Sequence, residues 1–392
     1  MANSTHAHRL AVLAGASALA VSLVALSPQE ARADDCLLDT NNDGNADSNV
    51  DTDGGADSGG VDARLACGFN ALASGAFSTS LGANSVTSAS NTVAVGNTAR
   101  ATGQQSTSIG SNALASATNA VALGNLSEAG NTGATSVGTS AKATGAFSTS
   151  IGSGSSATLD SGLAVGAGAT SSGFFATSVG AASTATQDGS TALGYLAQAT
   201  GADSTSIGGG SIASGSGSTA VGLIAEATGT QSTSLGANSI ASGANSSALG
   251  YSADATGIRA TSVGALSLAS QDSASALGAS SAATGIQSPS IGALSDATQS
   301  NASALGYLAQ ATGLASTSVG AESNATLTNT SAFGAVSRAT AQSATSIGAF
   351  SVASGLQSTS VGTLSDATAT NASAVGYLAQ ATGISSTSIG GE

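Results

Sequence analysis

From Cys67 onward the chain repeats one pattern every 14 residues, an apolar side chain followed by glycine. The pairs run from Leu81 and Gly82 through Val95 and Gly96, Ile109 and Gly110, and Leu123 and Gly124 to Ile389 and Gly390. From 81 to 389 is 308 residues, or 22 steps of 14 without a slip, and Cys67 with Gly68 keeps the same phase one step earlier. An internal period of this kind is read before any local structure, because each repeat buries its apolar face only by stacking on the next.

With the apolar residue as position zero, position four is Ser or Ala in every complete repeat, and position six is Ala except at Thr87 and Ser171. Between them position five varies freely, holding Arg100, Leu114, Glu128, Lys142, Gln198, Asp254 and Arg338 among others. Small, variable, small is the two-residue period of a β-strand with one face in solvent. The residues leading into position zero predict a second strand, and it is free of charge. Of the 14 charged residues between Cys67 and Glu392, eight lie at position five, five at positions nine or ten, and one at position three. A strand without charge on either face is expected to be buried on both.

The expected arrangement puts position zero and the Thr or Ser two before it inside the coil. The Ser or Ala immediately before position zero, as at Ser206, Ala220, Ser234 and Ala248, then faces the same strand of another chain at a subunit interface. That residue alternates between Ser and Ala over 28 residues, slipping phase only at Ser136 and Ser150 and at Ser346 and Ser360; duplication of a 28-residue unit is enough to produce the alternation. Gly after position zero and Gly or Ala at position eight mark two bends. Two strands and two bends use up the repeat, so each repeat is one rung, and some 23 rungs at about 4.8 Å make a rod on the order of 110 Å long.

Composition sharpens this reading. Of 392 residues only 7% are charged and 3% aromatic; there are 53 glycines, two prolines and no Trp. Burying a Leu or Phe is worth roughly 1.5–3 kcal/mol, so a chain built of Ala, Ser and Thr must bury small groups in great number. Disorder requires low hydropathy with high charge, whereas the mean hydropathy here is +0.23. The net charge of −14 comes with no basic stripe, which argues against a nucleic-acid partner.

Three segments follow from the pattern: a signal peptide at 1–33, an acidic segment at 34–66, and the repeats at 67–392. His6, His8 and Arg9 precede an apolar run from Leu10 to Leu26, and Ala31, Arg32 and Ala33 supply a small-residue cleavage site. The run is short for a membrane span, so an exported chain beginning at Asp34, without membrane insertion of its own, is expected. Export favours a disulfide between Cys36 and Cys67, with free thiols or bridges between chains as alternatives. Residues 39–57 read DTNNDGNADSNVDTDGGAD. Alternating oxygens at Asp39, Asn41, Asp43, Asp47, Asp51 and Asp53 suit calcium, although Val50 stands where an EF-hand places its bidentate Glu. A solvated acidic linker is the competing reading. No other cofactor is expected.

The consensus (V/I/L)-G-x-x-(S/A)-x-A-(S/T)-G-x-x-(S/T)-x-(S/A) resembles the head repeat of trimeric autotransporter adhesins of the YadA type, whose motif is S-V-A-I-G-x-x-S-x-A-x-G. The stretches 219–222, 247–250 and 376–383 carry the likeness, which holds in phase over about 325 residues. The resemblance implies an all-β fold, a left-handed parallel β-roll, with three chains side by side in a homotrimer at a cell surface, binding host or matrix components. Family members continue into a coiled-coil stalk and a membrane anchor. Here neither heptads nor amphipathic strands follow the repeats, so the expectation is a truncated product, or a head that is released or held by a partner.

An adhesin head binding by avidity is therefore the leading expectation. Its exposed candidates include Tyr195, Tyr251, Tyr307 and Tyr377, each two residues after position zero. The alternatives are an ice-binding solenoid using the Thr79, Thr107, Thr149, Thr205 and Thr233 row, and a polysaccharide-active β-helix. The repeats contain no His, and their acids are scattered singly, so no catalytic site is expected.

Overall fold

The computed structural model describes residues 54–59 and 63–391, and its regular structure is entirely β. Leu65–Cys67 (β1), Leu72–Ala73 (β2), Thr79–Leu81 (β3) and Val86–Thr87 (β4) open a series that alternates three-residue and two-residue strands as far as Thr387–Ile389 (β47). Each strand pairs in parallel with the one 14 residues on, as Leu65 with Thr79 and Cys67 with Leu81, or Leu72 with Val86. The result is a parallel β-solenoid of about 23 turns, with the three-residue strands in one sheet and the two-residue strands in the other.

The bends divide each coil into equal halves. Positions three and ten, seven residues apart, hold the chain in the left-handed region throughout, as at Asn84 (φ 54°), Asn91 (φ 58°), Asn112 (φ 56°) and Asn119 (φ 58°). Asn tolerates that region, but so here do Phe147, Phe175, Ile224 and Val336, at a cost of roughly 1–3 kcal/mol each. The ladder offsets it: the Asn84 amide donates to the Phe69 carbonyl at 2.7 Å and the Asn91 amide to Ala76 at 2.8 Å. Glycine after position zero has a stricter cause. Gly110 sits at φ +135°, and a Cβ there would overlap the carbonyl oxygen of Gly124 on the next coil.

The interior reverses one expectation. Positions four and six point inward, as the alternation requires, but so does the residue just before position zero. Ser206, Ala220, Ser234 and Ala248 are wholly buried inside the coil and form no trimer interface. Position zero points outward, with Leu81, Ile109, Ile207 and Leu235 each more than a third exposed, and the Thr two before it shares that outer face, half-buried. The reason is volume. Two strands closed by two tight bends leave room between them only for small groups, and the largest fully buried side chains are Thr87, Thr92 and Thr330, followed by serines.

Inward placement also accounts for the alternation of Ser and Ala. A buried hydroxyl needs a partner, and the side chain five residues on supplies it: Ser80 with Ser85 at 2.7 Å, Ser206 with Ser211 at 2.7 Å, Ser234 with Ser239 at 2.6 Å. Where the first is Ala the second is usually Ala as well, as in Ala94 and Ala99, Ala220 and Ala225, or Ala248 and Ala253. Mixed coils show the constraint: the Ser136 hydroxyl turns to the Ala141 carbonyl at 2.8 Å, while Ser108, facing Ala113, has no partner.

These pairs are directional. Ser211 donates to the Gly208 carbonyl at 3.0 Å, so Ser206 must donate to Ser211. Ser211→Ala removes the hydroxyl that accepts the Ser206 proton, leaving at best the backbone carbonyl that Ser136 uses beside Ala141, and is expected to cost about 1–3 kcal/mol. Ser206→Ala is expected to cost less, and the double change less than Ser211→Ala alone. Urea titration of the three variants checks the order.

The N-terminal end of the stack is covered. Asp57 bridges to Leu72, its amide donating to Ala71 and its carbonyl accepting from Ala73, both at 2.8 Å, which closes an otherwise open strand edge. Cys67 is disulfide-bonded; Cys36 lies outside the described residues. So do the candidate calcium ligands Asp39, Asn41, Asp43, Asp47, Asp51 and Asp53. Among the described residues no group of three or more His, Cys, Asp or Glu side chains could hold a metal ion.

Candidate binding surfaces

The solenoid presents two sheet faces and two lines of bends. The outer face of the two-residue sheet carries position five, where exposed Arg100, Lys142, Gln198, Arg338 and Gln380 stand among half-buried neighbours. Registered neighbours meet here: Lys142 Nζ lies 4.0 Å from the Glu128 carboxylate on the preceding coil, an exposed pair of little energetic weight.

Asp254 is different. It lies between Ile240 and Leu268 on adjacent coils, and one of its carboxylate oxygens is buried with no hydrogen-bond partner. Desolvation raises its pKa, and that of Asp296, above the ordinary 3.8. Burial thus favours the neutral acid in the folded chain, so the contribution of these two groups to stability is most favourable below pH 3.8 and declines as pH rises through the raised value. Asp254→Asn is accordingly expected to raise the melting temperature slightly at pH 7, with the gain vanishing near pH 3. Thermal unfolding followed by circular dichroism at the two pH values checks it.

The outer face of the three-residue sheet is uncharged along its whole length. Position zero forms one continuous row, since each residue is registered on the next, as Ile207 on Val221 and Val221 on Leu235. Beside it runs the row holding Thr79, Thr107, Thr149, Thr205 and Thr233. An exposed apolar strip of this length marks an interaction site.

The bends carry the remaining candidates. Tyr195, Tyr251, Tyr307 and Tyr377 all lie at the first bend and are each more than half exposed. Unforeseen from the sequence are large apolar residues at the bend tips, including Phe77, Phe147, Phe175 and Ile224, all strongly exposed. They share the left-handed sites with Asn and Gly but also with residues as varied as Gln105, Leu126, Ser140 and Arg259, so residue type gave no signal. Three acids at the second bend have a structural role: Asp160, Asp188 and Asp272 accept from the amides of Ala146, Phe174 and Ile258 on the preceding coil at 2.8, 2.9 and 3.1 Å.

A narrow solenoid with a small-residue interior, an apolar strip on one sheet and a variable polar face on the other defines a β-roll that repeats the same surfaces on every coil. Residues 68–99, 101–127, 129–155, 171–197, 199–223, 227–253, 255–281, 339–365 and 367–392 match the YadA head domain repeat, and the chain belongs to that family. The longest unmatched stretch, 282–338, keeps the same ladder and register. A solved structure similar to this chain is the collagen-binding domain of the Yersinia adhesin YadA, at 30% identity over 36% of this chain and 70% of that one, with a TM-score of 0.27. Among curated proteins none matches. Membership of this family implies exposure at the cell surface or outside the cell.

Proposed function

We propose that the chain is exported by its N-terminal signal and assembles as a parallel homotrimer that attaches the cell to a host or matrix surface, without catalysis. The observation that carries the reading is the unbroken outward row at position zero. Leaving it in water forgoes a large apolar burial, at roughly 25 cal/mol per Å², and three chains can cover it by turning their three-residue sheets toward a common axis. The two-residue sheets then face outward and repeat similar groups every coil, a geometry suited to avidity toward an extended ligand.

Light scattering on the mature chain is expected to report three subunits. Immobilised matrix proteins, collagen among them, are expected to retain the chain, and deletion of the gene to reduce attachment of the cells that express it. A monomer, or a trimer that attaches to no such surface, would falsify the reading.

The outward Thr row favours a second reading, ice binding. Thermal hysteresis in the purified chain, lost in Thr205→Lys with Thr233→Lys, would carry it; a homotrimer that covers this face removes it.

A further inference from the structure

The four tyrosines do not stand in equivalent surroundings. Tyr251 and Tyr307 lie four coils apart, about 19 Å at the usual strand spacing, and the first-bend positions between them are Ala265, Ala279 and Ala293. Two exposed rings therefore stand at the ends of a row of alanines at that position, with Leu266 and Leu294 exposed one residue on at the same bend. Along the adjoining edge of the two-residue sheet stand Asp254, on the coil of Tyr251, and Asp296, three coils further on. Among the described residues the one ion pair is Lys142 with Glu128, so neither carboxylate has a cationic partner. No other interval between tyrosines combines these features. Between Tyr195 and Tyr251 the row is broken by Leu223, and between Tyr307 and Tyr377 the same edge carries Arg338 with Asp366.

We propose that the bay between Tyr251 and Tyr307 docks an extended polypeptide segment bearing two basic side chains, lying parallel to the rod axis. Charge complementarity selects the occupant, since an apolar bay with two unpaired acids on its rim attracts basic groups and disfavours acidic ones. Spacing sets its sequence. An extended chain advances about 3.3 Å per residue, so the three coils between the carboxylates match basic residues about four apart, and the four coils between the rings match ring-packing residues about six apart. The site deepens the attachment reading and rests on it, giving the repetitive surface one position of defined chemistry.

The test uses the mature chain and a fluorescein-labelled twelve-residue peptide with lysines at its fourth and eighth residues and prolines at its third and ninth, followed by fluorescence anisotropy. The wild type is expected to bind it and to ignore the same peptide with glutamate for lysine. Asp254→Asn with Asp296→Asn, and separately Tyr251→Ala with Tyr307→Ala, are each expected to weaken binding about tenfold or more, with the circular dichroism spectrum unchanged. Tyr195→Ala is expected to bind as the wild type does. Absence of wild-type binding, equal binding by the acid-free variant, or equal loss in Tyr195→Ala would overturn the proposal. Retention of matrix binding by all variants overturns the bay and leaves the attachment reading standing; peptide capture by a chain that attaches to no surface does the reverse.

Discussion

Replacing Ile207 and Leu235 with Asp is expected to break the rod into single chains while leaving each coil folded. Both side chains point outward, 38% and 37% exposed in one chain, so a carboxylate at either site reaches water in the monomer and the ladder that holds β-structure is untouched. In the proposed trimer the same carboxylates would be enclosed three at a time among Val and Leu. Desolvation costs several kcal/mol per ion, and mutual repulsion adds to it. Light scattering is expected to fall to the mass of one chain with the far-ultraviolet spectrum preserved. A variant that remains trimeric would show that position zero is not the interface.

The opposite result is expected one residue earlier in the repeat. Ala220 is fully buried against Ala225 and Ala227, and Ala220→Asp places a charge where no water or donor can reach it. Uncompensated buried charge together with overpacking belongs to the class of changes costing more than about 4 kcal/mol. Solenoid stability is a sum of repeat and neighbour terms, so the loss should be local, seen as a new protease-sensitive site near coil 206–220 and a split urea transition. Gln198→Asp, at an exposed position of the other sheet, is the control and should change neither. Equal resistance of the two variants would contradict the inward placement of Ala220.

These two substitutions sit on the point at which sequence and structure parted. Which residues belong to strands was legible, because small, variable, small at positions four to six is unambiguous and Arg100, Glu128 and Lys142 can only face solvent. That the second strand carries no charge on either face was legible too. Its orientation was not, because charge excludes a face from burial but cannot say which of two uncharged faces lies inside. The usual rule that Leu, Ile and Val go inside gave the wrong choice, since Ser206 and Ala220 are small enough for the coil and Ile207 is not.

The bends tell a similar story. Glycine after position zero was readable as a turn, and Gly110 confirms why no side chain fits there. The left-handed residues at positions three and ten were hidden, because Phe147, Ile224 and Val336 carry no propensity for that region and are held there only by ladder hydrogen bonds to the preceding coil.

By itself the sequence determined the period, the number of coils, the register of every strand pair and the class of fold, since a 14-residue repeat without a slip allows one stacking. It determined too that the chain must bury small side chains, because it has few others to bury. Only the tertiary structure decided which small side chains those are. Closing two short strands with two tight bends sets an internal width, and that width admits Ser and Ala, pairs serine hydroxyls five residues apart, and turns the row from Leu81 to Ile389 outward.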